Sequence, residues 1–161
     1  MARNDRREFL GAALLGAAGG TAGLSEGAAA AADEGPRARS RGLFPEGAPA
    51  AAPGYSPGIA AEGRRVVFVS GQGPEDLEAD METQVRQTFD RIGLVLKAAG
   101  ASFADVVMIR AYFVHLKRDL AAYRKVRLEY LKEPYPASTA VGVTELAVAG
   151  LAVEIEAVAV E

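Results

Sequence analysis

The chain contains no cysteine, which excludes disulfides, thiolate metal centres and cysteine nucleophiles. It has a single histidine, His115, too few for a centre built on several imidazoles. Positive charge is not in surplus. Eighteen Lys and Arg against 21 Asp and Glu leave a net charge of −3, whereas broad nucleic-acid binding needs a basic excess to neutralise phosphates. A long, strongly apolar run is also missing: the stretch from Phe9 to Leu24 is broken by glycines and falls short of the ~20 apolar residues of a membrane span. At 161 residues, a single domain is the natural expectation.

What is present begins with a targeting pattern. Arg6-Arg7-Glu8-Phe9-Leu10 precedes that mildly apolar run, which leads into Ala30-Ala31-Ala32-Asp33. A basic start, an apolar middle and a small-residue cleavage site are the order of a secretory signal, and paired arginines followed by Phe-Leu resemble a twin-arginine (Tat) signal. Residues 1–32 are therefore expected to be a signal peptide. The mature protein would be bacterial and periplasmic or secreted, meeting a membrane only during export. Residues 33–53, rich in Pro, Ala, Gly and Arg and without periodicity, read as a flexible lead-in. A folded domain is expected over 54–161.

Within that domain, Tyr55–Ala60 and Arg65–Ser70 read as two strands paired in a hairpin around the Glu62-Gly63 turn. Met81, Val85, Phe89, Ile92 and Leu96 recur at helical spacing, and Gly100 is placed to end that helix in a left-handed cap. Val106–Val114 reads as the third strand. Asp119 is a candidate cap for a second helix whose apolar positions are Leu120, Tyr123, Val126 and Tyr130, and Pro134 and Pro136 stop it. Strands over Ala140–Thr144 and Leu151–Val160 close the domain. The order β-β-α-β-α-β-β predicts an α+β fold with two helices on one face of a mixed sheet. Strands two and three are apolar on both faces, yet two helices can cover only one. The uncovered face predicts self-association.

Several blocks carry a family resemblance. They are Gly54-Tyr55-Ser56-Pro57-Gly58, Val67-Phe68-Val69-Ser70-Gly71-Gln72, Ala98-Ala99-Gly100-Ala101-Ser102-Phe103-Ala104-Asp105, Glu133-Pro134-Tyr135-Pro136-Ala137-Ser138-Thr139 and Val153-Glu154-Ile155-Glu156-Ala157-Val158. In this order, over about residues 48–161, the chain resembles the Rid (reactive intermediate deaminase, YjgF-like) family. That resemblance implies a chorismate-mutase-like fold and a homotrimer with small-molecule clefts between subunits. The implied reaction is hydrolysis of a 2-imino or 2-enamino acid to a 2-keto acid and ammonia.

The resemblance also assigns roles. Glu154 matches the family glutamate that holds the attacking water and is the catalytic candidate. Tyr55 matches an aromatic capping the cleft, and Ser70 stands where the family also has serine. The family arginine that grips the substrate carboxylate follows Pro-Ala, and here that position is Ser138, which can donate one neutral hydrogen bond but brings no charge. Activity on 2-aminoacrylate is then unexpected, and a substrate without a simple α-carboxylate is favoured. Arg124 falls where many relatives carry Asn, and Arg110 lies inside an otherwise apolar strand. Such an arginine needs a partner: either Glu154 or Glu156 across a subunit interface, or a ligand anion, with Arg110 or Arg124 as a relocated grip. The segment Gln72-Gly73-Pro74-Glu75-Asp76 departs from the longer acidic turn of many relatives.

His115 reads as a solvated strand-end residue. No metal, nucleotide or pyridoxal phosphate motif is present, and no cofactor is expected; Ser70-Gly71-Gln72-Gly73 lacks the lysine of a phosphate loop. The competing readings are a non-catalytic small-molecule-binding trimer and a structural subunit of an exported complex.

Overall fold

The structure, a computed structural model, describes residues 39–46, 50 and 52–161. The expected signal peptide, 1–32, lies outside the described residues, as do parts of the lead-in. No helix among the described residues is long and apolar enough to cross a membrane.

The elements run β1 (Arg39–Leu43), β2 (Gly58–Glu62), β3 (Val66–Gln72), α1 (Met81–Ala99), β4 (Val106–Phe113), α2 (Leu116–Tyr130), β5 (Ala137–Gly142) and β6 (Val153–Val160), with one 3-10 turn at Phe103–Asp105. Four strands form a mixed sheet in the order β3-β6-β4-β5. Within it β6 is antiparallel to both neighbours and β5 is parallel to β4. The fold class is the α+β arrangement expected.

Local chemistry explains the long helix. The Asp80 carboxylate accepts from Thr83 N at 3.1 Å and satisfies a free amide of the first turn. At the other end Gly100 adopts φ 86° and its N–H bonds the carbonyls of Leu96 and Lys97, the left-handed cap that glycine adopts without a Cβ penalty. The inward face is the predicted one: Val85, Phe89, Ile92 and Leu96 are fully buried. They pack on alternate residues of β6, where Val153, Ile155, Ala157 and Ala159 are buried and the residues between them are half-buried. An aromatic cluster fills the space between the helices, with Phe89 stacked 4.8 Å from Tyr130 and Phe113 edge-on to Tyr123 at 5.5 Å.

Four expectations need correction. Residues 39–43, placed in the flexible lead-in, form β1, which pairs antiparallel with β2. The hairpin expected between the next two strands is not formed. Arg64 and Arg65 donate their backbone N–H groups to the carbonyl of Glu161, at 2.7 and 2.8 Å, which turns the chain onto β6 as β3 begins; β3 then pairs with β6 and β2 with β1. Helix α2 starts at Leu116, with exposed His115 at its cap position, so Asp119 sits inside the first turn. Asp119 is buried and its carboxylate accepts from Arg118 at 2.7 and 3.0 Å. Finally, β5 begins at Ala137, directly after Pro136, the last residue that cannot donate to a ladder.

The sheet face away from the helices is open within the chain. Phe68 is 77% exposed and Val66 52%. By register they share that face with Val158 and Val160 of β6 and with Met108, Arg110 and Tyr112 of β4.

Candidate functional site

A cavity of about 670 Å³ lies between α2, β5 and residues 52–55. Ser138 of β5 reaches it because it pairs level with Ile109 of β4, whose side chain is buried on the helix side. Tyr55 is brought there by a tight turn. Gly54 has φ 76°, Tyr55 N bonds the Ala52 carbonyl at 2.8 Å, and Ser56 N bonds the Pro136 carbonyl just before β5. From α2 come Arg124 and Arg127, and Leu116, Leu120 and Leu128 give the wall its apolar character.

Arg127 is the organising side chain. It is 8% exposed, its Nη2 donates to the Pro53 carbonyl at 2.8 Å, and its Cζ lies 5.2 Å from the centre of the Tyr123 ring. A Cβ on Gly54 would stand 2.8 Å from Cζ and closer still to Nε, so the turn fits over the guanidinium only because residue 54 has no side chain.

A second group of polar residues sits on the other side of the sheet. Arg110 pairs level with Glu156 and Tyr112 with Glu154, so both glutamates face away from the helices. Arg110 Nη1 donates to Glu156 at 2.6 Å, and this bond raises the arginine above its ordinary range. Glu154 lies against Gly71, where a Cβ would come within 2.6 Å of its carboxyl carbon. Exposed Ser70 is adjacent, at the irregularity between Val69 and Gln72 where β3 slips register on β6. Helix α1 ties down the following turn: Arg91 Nη1 donates to the carbonyls of Gly73 and Pro74, both at 3.0 Å, and Gln87 Oε1 accepts from the amides of Glu75 and Asp76.

The six sequence candidates therefore divide. Tyr55, Ser138 and Arg124 line the cavity; Ser70, Arg110 and Glu154 belong to the opposite side. Arg110 does find a carboxylate, but within its own chain, and it does not line the cavity. Of the two arginines considered as a relocated anion grip, only Arg124 is in position. Sequence reasoning missed Arg127 altogether. The signal was present: Leu116, Leu120, Tyr123 and Arg127 are spaced four, three and four apart, so the arginine shares the face of residues that turn inward.

Comparison with known proteins gives this geometry a family. Residues 45–161 match the profile of the family described as Endoribonuclease L-PSP. A RutC family protein of Pyrococcus horikoshii is 35% identical over 123 residues, covering 73% of this chain and 94% of its own length. A 2-iminobutanoate/2-iminopropanoate deaminase of Capra hircus is 32% identical over 120 residues, 71% of this chain and 85% of the relative. Among solved structures, a protein of the conserved Rid family from Yersinia pestis superposes with a TM-score of 0.67 at 30% identity, covering 76% of this chain and 98% of its own. The chain belongs to the Endoribonuclease L-PSP family, the Rid or YjgF-like family of the sequence blocks.

Proposed function

We propose that this family member is a divergent imine or enamine hydrolase, working on a small molecule in clefts between the subunits of a homotrimer after export through a twin-arginine route. The separation of the two polar groups carries the reading. Tyr55, Ser138 and Arg124 lie on one side of the sheet and Glu154 on the other, so one small ligand touching both needs a second copy of the chain. The open face with Phe68 and Val66 is an apolar surface suited to that contact. Relatives named 2-iminobutanoate/2-iminopropanoate deaminase support the reaction class.

The chemistry is a hydrolysis in which Glu154 relays both protons of water to nitrogen, one after the other. Glu154 takes a proton from water as the water oxygen bonds to the imine carbon, and the C=N electron pair moves to nitrogen. The protonated carboxyl then returns the proton to nitrogen. This gives a carbinolamine; Glu154 then takes its hydroxyl proton and passes it to nitrogen as the C=O bond forms and the C–N bond breaks, leaving a carbonyl product and ammonia. Ser138, neutral where the family resemblance places arginine, favours on its own a substrate without a simple α-carboxylate. The same substitution supports a second reading, a trimer that binds a small molecule without turning it over.

Ammonia release by the full-length protein on freshly generated imines separates the two. Under the hydrolase reading, Glu154→Ala lowers turnover by about 10²–10⁴-fold and leaves the melting temperature near wild type. Equal rates in wild type and variant would remove Glu154 from the chemistry, and no turnover by wild type would leave the binding protein. Mixing Glu154→Ala subunits with Tyr55→Ala subunits tests the shared cleft: partial recovery is expected, and a protein that sediments as a monomer would refute it.

A further inference from the structure

We infer that the groove bounded by Val114, Leu146, Val148 and Leu151 is an apolar subsite, which takes the hydrocarbon substituent of a ligand whose polar end lies at Glu154. The substrate class this names is an imine or enamine bearing a branched aliphatic group. The inference rests on the proposed reading that places a small molecule at Glu154; whether Glu154 turns that molecule over is decided separately.

The starting point is an apolar run where a polar one is expected. Leu146-Ala147-Val148-Ala149-Gly150-Leu151-Ala152 lies between β5 and β6 without one polar side chain. Connections between strands run over the surface and are ordinarily polar. Here Ala147, Val148 and Ala149 are all exposed, Val148 by 56%. Such a run is unfavourable in water unless something covers it. It also encloses space: with Val114 and His115 it forms a groove of about 290 Å³. Whole small-molecule ligands fill about 300–1,000 Å³, so this groove suits part of one. Val114, Leu146, Leu151 and Ala152 are half-buried and give it an apolar floor, whereas its polar lining residues, His115, Thr144 and Glu145, are exposed.

Register places the groove beside Glu154. Arg110 pairs level with Glu156 and Tyr112 with Glu154, and Val114 N donates to the Ala152 carbonyl at 3.0 Å, which carries the pairing one step further. Side chains alternate across a strand, so Val114 and Ala152 continue the row that holds Glu154. Two glycines make the same connection from the end of β3. A Cβ on Gly71 would stand 2.6 Å from the Glu154 carboxyl carbon, and one on Gly73 would stand 2.6 Å from a Leu151 methyl. The two glycines are separated by at most about 7 Å of chain, so acid and apolar wall lie within reach of one small molecule. Helix α1 steadies that wall, since Arg91 holds the Gly73 carbonyl at 3.0 Å. The groove shares no lining residue with the cavity beside α2 and β5.

Calorimetric titration of the full-length protein tests this with two uncharged, unreactive amides, isovaleramide and acetamide, which differ only in the branched group. Wild type is expected to bind isovaleramide at least about tenfold more tightly, the scale of about two buried CH₂ groups. Val148→Asp and Leu146→Ser should remove that preference. Leu94→Ser, which takes a comparably exposed apolar side chain from α1, should leave it intact. Glu154→Ala should weaken both amides alike, because their shared N–H loses its acceptor. Equal affinity for the two amides in wild type, an unaltered preference in a folded Val148→Asp, or unaltered affinities in Glu154→Ala overturns the subsite. Dissociation of the assembly by Val148→Asp, seen in sedimentation, also overturns it and makes the loop a subunit contact. Should one groove variant fail to fold, the wild-type ratio and the other variant decide. A preference between the amides without ammonia release from the matching imines would keep this subsite and sink the hydrolase, whereas Glu154-dependent release with equal amide affinities would do the reverse.

Discussion

Arg110 and Arg127 are the same side chain in opposite circumstances. Arg110 is half-exposed on the open face of the sheet and is neutralised by Glu156 at 2.6 Å. Arg127 is buried on the helix side, and among the described residues no carboxylate pairs with it. Read along the sequence, Arg110 is the anomalous one, a charge within an apolar strand, while Arg127 passes as an ordinary helical arginine. The fold reverses that ranking. What makes an arginine available to a ligand is whether its charge is already answered, and that depends on register and packing. Each polar group also rests on a glycine. Gly54 makes room for Arg127 and Gly71 for Glu154, but only Gly54 has a positive φ, 76°.

The strongest way to break the comparison is to remove what both sides stand on. Phe89 is fully buried and stacks on Tyr130 at 4.8 Å, within the cluster joining α1 and α2 to the sheet. Phe89→Ala should destabilise the fold by about 3–5 kcal/mol, read as a lower urea midpoint with both ligand binding and turnover lost together. A midpoint within experimental error of wild type would mean the cavity does not depend on this core.

A smaller change separates the two sides. Gly54→Ala forces a side chain into the left-handed region, worth about 1–2 kcal/mol, and crowds Arg127 in the cavity wall, so stability and ligand binding should fall together. Gly71→Ala carries no such backbone penalty. It pushes on the movable end of Glu154, so turnover should fall while the melting curve hardly shifts. Side-by-side melts and ammonia-release assays would show it; a stability loss at Gly71 equal to that at Gly54 would contradict the contrast.

Much of this architecture was legible in the residues, for physical reasons. Helix α1 announces itself through Met81, Val85, Phe89, Ile92 and Leu96 and through Gly100, because a helix is a local object whose period and cap are both written in sequence. Strand β6 is readable from its strict alternation. Strand β1 was not, since Arg39-Ser40-Arg41-Gly42-Leu43 has no alternation to mark it and owes its form to pairing with β2. The start of α2 is hard to read because Asp119 looks like a cap, whereas it lies inside the first turn and its buried carboxylate accepts from the exposed Arg118. The candidate site was legible as a set of residues and illegible as an arrangement. That Ser138 and Glu154 face opposite sides follows from the registers of β5 and β6 on β4, and no single strand's sequence contains a register.

The seam between α1 and α2 sharpens the comparison with the smallest effect. There Arg86 bonds Glu129 at 2.9 Å and Lys125 bonds Glu82 at 2.7 Å, both pairs solvent-exposed. The bond from Lys125 holds Glu82 below its ordinary value of 4.5, and the bond from Arg86 does the same for Glu129. A carboxylate whose folded pKa is depressed stabilises the fold above its unfolded pKa and loses that contribution as pH falls through the folded one. The window therefore opens just below pH 4.5 and extends downward. Glu129→Gln should melt slightly below wild type near neutrality, and the gap should close on acidification well below that window. Arg127→Met is the counterpart. Among the described residues its guanidinium has no carboxylate partner to protonate, so whatever the substitution does to stability should be the same at both pH values. Thermal melts of the three proteins at the two pH values would test the distinction between an arginine that is answered and one that is waiting: an acid-dependent change at Arg127 would mean that a carboxylate answers its charge after all.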